Sequence, residues 1–179
     1  MRIDGSWRLC DDGIVRPVVW GELRASDGSW VQAFFLTDCA ADRTVLSENV
    51  WRGLGLPGVA ATHRLEGVGG SAASVVVETQ IRMAREAGQT VLFKGQFAAF
   101  TDPAALDISV LGRDITNMFA LIVDRPQDVV CLLVEDISTR FYKDEILSVN
   151  LPTRYDSTTN LNEKRRRSQR TRAKLKKSC

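Results

Sequence analysis

At 179 residues and 44% hydrophobic content, the chain has room for one ordinary domain with a sizeable core and too little for two full ones. Its formal net charge of +2 conceals two unlike parts: residues 163–179 hold nine Lys/Arg and one acid, so residues 1–162 hold 15 basic against 21 acidic residues, a net of −6. An acidic body with a basic tail is not a uniformly basic nucleic-acid binder, and no apolar run reaches the length of a membrane-spanning helix.

The cysteines Cys10, Cys39, Cys131 and Cys179 are far apart and form no CxxC or Cys/His pair of metal-ligand spacing. With His63 as the only histidine, neither a zinc site nor a His-based triad is expected, and no metal or cofactor is called for. Met1 and Arg2 lead into no apolar h-region, so a cytoplasmic, reducing setting is the expectation.

In chain order, residues 14–25 alternate loosely and are rich in Val and Trp, Ser26-Asp27-Gly28 supplies a turn, and residues 30–37 resume an apolar strand. Together they predict a β-hairpin. The strand stops at Asp38, and a polar loop leads to Thr44-Val45-Leu46. Ser47 is placed to cap one or two helical turns that Gly53 and Gly55 end. Residues 65–82 read as another hairpin with Gly67, Gly69 and Gly70 at its tip, and residues 89–100 as a strand pair around Gly95. Residues 107–119 form an apolar strand that halts at Gly112 and turns into a short helix. Two strands around Asp124-Arg125-Pro126-Gln127 close the body at Val134. Many short strands with few helical turns predict a mainly β barrel or sandwich. Beyond Glu135 the pattern fades: residues 139–147 offer a helical turn or two, residues 148–162 read as a polar linker, and the tail from Glu163 is too charged to fold alone.

Asp38 ends an apolar run. An ionised carboxyl there either opens a turn, the commonest job of Asp, or faces a partner or chemistry, because burying it alone would be costly. Two further signals bear on the choice. Asp38-x-x-Ala41-Asp42-x-Thr44-Val45-Leu46 resembles the catalytic loop of retroviral-type aspartic proteases, Asp-Thr/Ser-Gly-Ala followed by Asp-x-Thr-Val-Leu. Val110-Leu111-Gly112-Arg113-Asp114 resembles their second signature, an apolar pair followed by Gly-Arg-Asn/Asp at a helix start. A Gly67-Val68-Gly69-Gly70 tip lies between them, where the family keeps its flap. The resemblance covers roughly residues 14–134.

That resemblance implies a retropepsin-like closed β-barrel with one short helix after the Gly-Arg-Asp motif. It also implies an aspartic endopeptidase in which Asp38 is catalytic and Cys39, Ala40 and Ala41 complete the active-site loop. Two carboxylates share one proton in such chemistry, and this chain has one such loop, so the resemblance implies a homodimer acting on a peptide or protein substrate. Asp42 and Arg113 are implied to pair in support of the loop; a surface ion pair is the plain alternative. Gly67, Val68, Gly69 and Gly70 are implied to be a flap, or else form an ordinary turn.

Two departures mark the loop. Cys39 stands where the family has Thr or Ser, and a thiol is a weak donor; Ala40 stands where it has Gly, and its Cβ crowds the substrate side or disfavours the loop's φ/ψ. They favour an alternative: a catalytically weakened dimerisation or peptide-binding module. The expected layout is a protease domain at 1–137, a linker at 138–162 and a disordered tail at 163–179. The basic residues from Lys164 to Lys177 would bind nucleic acid or another polyanion, or form a solvated extension or localisation signal.

Overall fold

The computed structural model describes residues 1–61, 64–67, 70–134 and 147–150. In chain order its elements are β1 (Arg2–Leu9), β2 (Val15–Arg24), β3 (Trp30–Thr37), β4 (Val45–Leu46), α1 (Glu48–Leu54), β5 (Val59–Ala60), β6 (Leu65–Gly67) and β7 (Gly70–Ala72). They continue with β8 (Ser74–Ala84), β9 (Thr90–Phe100), β10 (Ser109–Leu111), α2 (Arg113–Thr116), β11 (Ala120–Asp124), β12 (Val129–Leu133) and β13 (Leu147–Asn150).

Six of these strands close on themselves. β2 pairs with β3, β3 with β10, β10 with β4, β4 with β9, β9 with β8, and β8 returns to β2 through Glu22↔Arg82 and Leu23↔Ile81. A ring of strands has no free edge, so every member can satisfy its backbone groups on both sides. The chain is therefore mainly β, built on a closed barrel, with the short helix α2 directly after Gly112 as expected.

Strand periodicity explains what fills the barrel. On β8, Val77, Thr79, Ile81 and Met83 are buried at every second position, and on β2 and β3 Val19, Leu23, Ala33 and Phe35 turn inward. Phe35, Phe93 and Phe97 are fully buried, and each stabilises the fold by about 1.5–3 kcal/mol relative to an exposed ring.

Several expectations need correction. Residues 89–100 are not a strand pair: β9 runs unbroken, with Gly95 opposite Thr79, because its partner β8 is equally long and holds the ladder through the glycine. Residues 65–82 are not one hairpin. β6 and β7 form a small hairpin of their own, and the residues from Ser74 onward belong to β8, which pairs with β9, β5 and β2. The helix α1 runs through Gly53 and ends at Gly55, whose φ of 60° suits a glycine; Ser47 sits at its N-cap without a side-chain capping bond. β1 was not anticipated, although Ile3, Gly5, Trp7 and Leu9 alternate with polar residues. β13 lies where a helical turn and a linker were expected and pairs in parallel with β9, so these four residues extend the sheet. The remainder of residues 135–162, and the tail from Glu163, lie outside the described residues.

Candidate active site

β3 and β10 run in parallel, with Phe35↔Ser109, Leu36↔Val110 and Thr37↔Leu111 in register. Their C-terminal ends therefore emerge side by side, and the two stretches singled out in the sequence start there. Asp38 begins the loop after β3, its N–H donating to the carbonyl of Leu111 at 3.2 Å. Gly112 begins the turn from β10 into α2.

Within the loop, Asp38 Oδ1 accepts from the amide of Ala40 at 2.8 Å and of Ala41 at 3.2 Å. This is an Asx-type turn, so the turn-forming role of Asp38 is real. It occupies one carboxylate oxygen and fixes the carboxyl plane. Among the described residues no second carboxyl group hydrogen-bonds to Asp38, which is half-buried, while Cys39 and Ala40 are exposed and the Cys39 thiol is free. Ala40 does not occupy the left-handed region: Asp128 is the only non-glycine residue with positive φ among the described residues. The expected backbone penalty for alanine at this position is absent, because the loop turns through the Asp38 carboxylate rather than through a positive φ.

The turn after β10 grips this loop from below. Arg113 N–H donates to the carbonyl of Ala41 at 2.8 Å, and the Arg113 guanidinium pairs with Asp42. Both side chains of that pair are about half exposed, so it ties the two segments together while adding little stability. Asp114 does more. Its Oδ1 accepts from the Thr44 hydroxyl at 2.7 Å, the Thr44 amide at 2.9 Å and the Ile115 amide at 3.0 Å, and its Oδ2 lies 3.0 Å from the Thr44 amide. The buried Thr44 hydroxyl in turn accepts from Gly112 N–H at 3.1 Å. A Cβ at Gly112 would collide with the backbone carbonyl group of Arg43 and sit 2.7 Å from Thr44 N, so only glycine admits this approach.

Asp114 belongs to the Val110-Leu111-Gly112-Arg113-Asp114 motif, which by itself assigns it no role. The signal was present: a carboxylate in the first turn of a helix needs donors, and Thr44 is the one hydroxyl in the facing motif. Of the flap residues, Gly67 and Gly70 face each other across the β6–β7 hairpin, which forms a two-stranded sheet separate from the barrel. Val68 and Gly69 lie outside the described residues, as does His63. Among the described residues no group of three His, Cys, Asp or Glu could hold a metal ion, and no helix is long and apolar enough to cross a membrane.

No protein-family model and no curated protein matches the chain. Solved structures do. The chain is similar to EIAV protease complexed with the inhibitor HBY-793, at 23% identity over 57% of this chain and 86% of that one, with a TM-score of 0.42. It is also similar to a retropepsin-like aspartic protease from Rickettsia conorii, at 16% identity over 74% of this chain and 97% of that one, with a TM-score of 0.44.

Proposed function

We propose that the chain is an aspartic endopeptidase that works as a homodimer, each copy contributing its Asp38 to one site. The observation that carries this reading is the loop itself: a half-buried carboxylate at a strand end, one oxygen fixed by two amides, in a segment locked by Arg113, Asp114 and Thr44. Such rigidity suits a group that must be aimed.

Two Asp38 carboxyls about 3 Å apart cannot both ionise, so the pair holds one proton. The ionised member takes a proton from a bound water as the water oxygen bonds to the scissile carbonyl carbon, and the protonated member donates to the carbonyl oxygen. Collapse of the tetrahedral adduct breaks the C–N bond, with the proton passing to the departing amine. An extended peptide would lie along the site with alternate side chains in pockets, and the segment from Gly67 to Gly70, with Val68 and Gly69, would close over it. Asp42 would help to position substrate backbone.

A second reading is favoured by Cys39, whose exposed thiol is a poor substitute for a hydroxyl donor. On it the chain is a catalytically weakened dimerisation or peptide-binding module, with the basic residues from Lys164 to Lys177 engaging nucleic acid or another polyanion. A peptide-library cleavage assay comparing the wild type with Asp38→Asn separates the two. Cleavage that the substitution abolishes supports the enzyme; equal silence from both proteins supports the module.

A further inference from the structure

The alternation that turns Val19, Leu23, Ala33 and Phe35 into the core turns their neighbours on β2 and β3 outward, and several of those neighbours are aromatic. Trp20 is 46% exposed and stands opposite the half-buried Phe34, their ring centroids 3.7 Å apart. Further along the same face, about 13 Å from Phe34 at the usual rise of a strand, the half-buried Trp30 stands opposite Arg24.

Guanidinium groups lie over these rings. Arg8 of β1 stands 3.7 Å from the centre of the Phe34 ring, and Trp30 is flanked by Arg82 of β8 at 4.1 Å and by Arg24 at 5.1 Å. Arg82 is neutralised by Glu22 at 2.5 Å. Among the described residues no carboxylate lies within ion-pair distance of Arg8 or Arg24; Asp27, which accepts from the Ser29 amide, acts on Arg24 only at longer range. A body that is acidic as a whole thus keeps uncompensated cations on the one face where its aromatic rings reach solvent.

We infer that this outer face of β2 and β3 binds single-stranded nucleic acid, with unpaired bases stacking on Trp20 and Trp30 and phosphates meeting Arg8 and Arg24. The face asks two things of a ligand at once: flat π surfaces for its rings, and anionic acceptors for guanidinium groups, which only donate. Unpaired nucleotides offer both at every step. A duplex keeps its base faces inside the stack and would meet the cations alone. A peptide cannot add to β2 as a strand, because β2 is already paired with β3 along one side and with β1 and β8 along the other. The basic stretch from Lys164 to Lys177 carries no aromatic residue and would hold any polyanion by charge, so the stacking rings make the face a different kind of site from the tail. The inference does not depend on Asp38 or on the endopeptidase reading.

Fluorescence anisotropy of labelled oligothymidylate, oligouridylate and a DNA duplex of equal length, each titrated with the full chain, tests this. The single strands should bind more tightly than the duplex and quench tryptophan fluorescence, and Trp20→Ala should weaken their binding about tenfold or more. Arg8→Gln should make the slope of log K against log salt shallower by about 0.7, the share of one phosphate contact. Arg125→Gln, which removes a guanidinium from over the Trp7 ring instead, should leave that slope unchanged. Circular dichroism shows whether Trp20→Ala is folded; if it is not, Trp20→Leu takes its place, keeping an apolar contact for Phe34 without a ring on which a base can stack. A preference for one of the two oligonucleotides supports the inference and tells whether the strand is DNA or RNA. Equal binding of single strand and duplex with no loss in the Trp20 variant would assign the binding to the tail and overturn the face. Absence of single-strand binding overturns it too, as does polyglutamate binding that falls as far with Trp20→Ala, which would make the occupant an acidic peptide. None of these outcomes bears on cleavage by Asp38.

Discussion

Asp114 holds Thr44 by both its amide and its hydroxyl, across 70 positions of sequence. Through Thr44 and Gly112 the same network joins the end of the loop after β3 to the turn after β10, while the amides of Ala40 and Ala41 fix the Asp38 carboxyl at its start. The Arg113–Asp42 pair spans the same gap but stands in solvent, whereas the Thr44 side of this network is buried. Asp114→Ala should therefore destabilise the chain by about 1–3 kcal/mol, because it leaves buried donors without an acceptor. Arg113→Ala should cost about 0–1 kcal/mol. Urea midpoints at constant m-value measure both, and equal losses would contradict the ranking.

Gly112→Ala attacks the same junction through sterics. Its methyl group would meet the carbonyl group of Arg43, which cannot swing aside as a flexible side-chain end could. A loss of about 1–3 kcal/mol or more is expected, with backbone amide shifts at Arg43 and Thr44 in NMR spectra. Gly53→Ala, where the added Cβ meets nothing within 4 Å, is the control and should be neutral or stabilising, since the residue lies inside α1.

How much of this was legible in the sequence depended on range. The hairpin of β2 and β3 and the strand-to-helix break at Gly112 carry local signals, alternation and a stop, and both were read. β1 has the same alternation but is interrupted by Gly5, whose absent side chain admits the Val18 carbonyl; that close approach is a tertiary fact. The separation of β6–β7 from β8 was not readable either, because which strand a run pairs with is set by the long ladder of β8 on β9 rather than by the turn between. At the site, Asp38, Asp42 and Arg113 were picked out by motif, and the ion pair of the last two is present in the structure. Asp114 was given no role, because its partners lie 70 residues away and only the parallel pairing of β3 with β10 brings them near.

Acid should leave the turn between β1 and β2 intact over a wide range. Arg16 bonds to Asp12, and the Ile14 amide adds a second donor, lowering the Asp12 carboxyl to about 2. A carboxyl depressed in the folded state contributes stability that is fully present above its unfolded pKa, near 3.9, and is lost as pH falls through the folded value. The contribution should therefore persist at pH 5 and fade between about 4 and 2. Following the Asp12 side chain by NMR during an acid titration checks this; a midpoint near the unfolded value would mean that the Arg16 contact does not hold in solution.

The loop departures give the last expectation. Restoring a hydroxyl with Cys39→Thr should help a two-copy enzyme, since one hydrogen bond per copy across the interface contributes about 0.5–1.5 kcal/mol net. Ala40→Gly should act in the opposite sense on folding. Ala40 has no positive φ to relieve, so glycine there only frees the unfolded chain, at a cost of roughly 0.4–1 kcal/mol. Measured separately, Cys39→Thr should raise the melting temperature of the dimer and Ala40→Gly should lower it, while cleavage rises in the glycine variant only if the alanine methyl crowds the substrate. Asp38→Asn in either background should abolish cleavage and leave stability nearly unchanged, because the amide oxygen of Asn can still accept from the amides of Ala40 and Ala41 but can neither take a proton from water nor share one with its partner. Residual cleavage in Asp38→Asn would remove Asp38 from the chemistry, and a large loss of stability would mean that the carboxylate is kept for the turn.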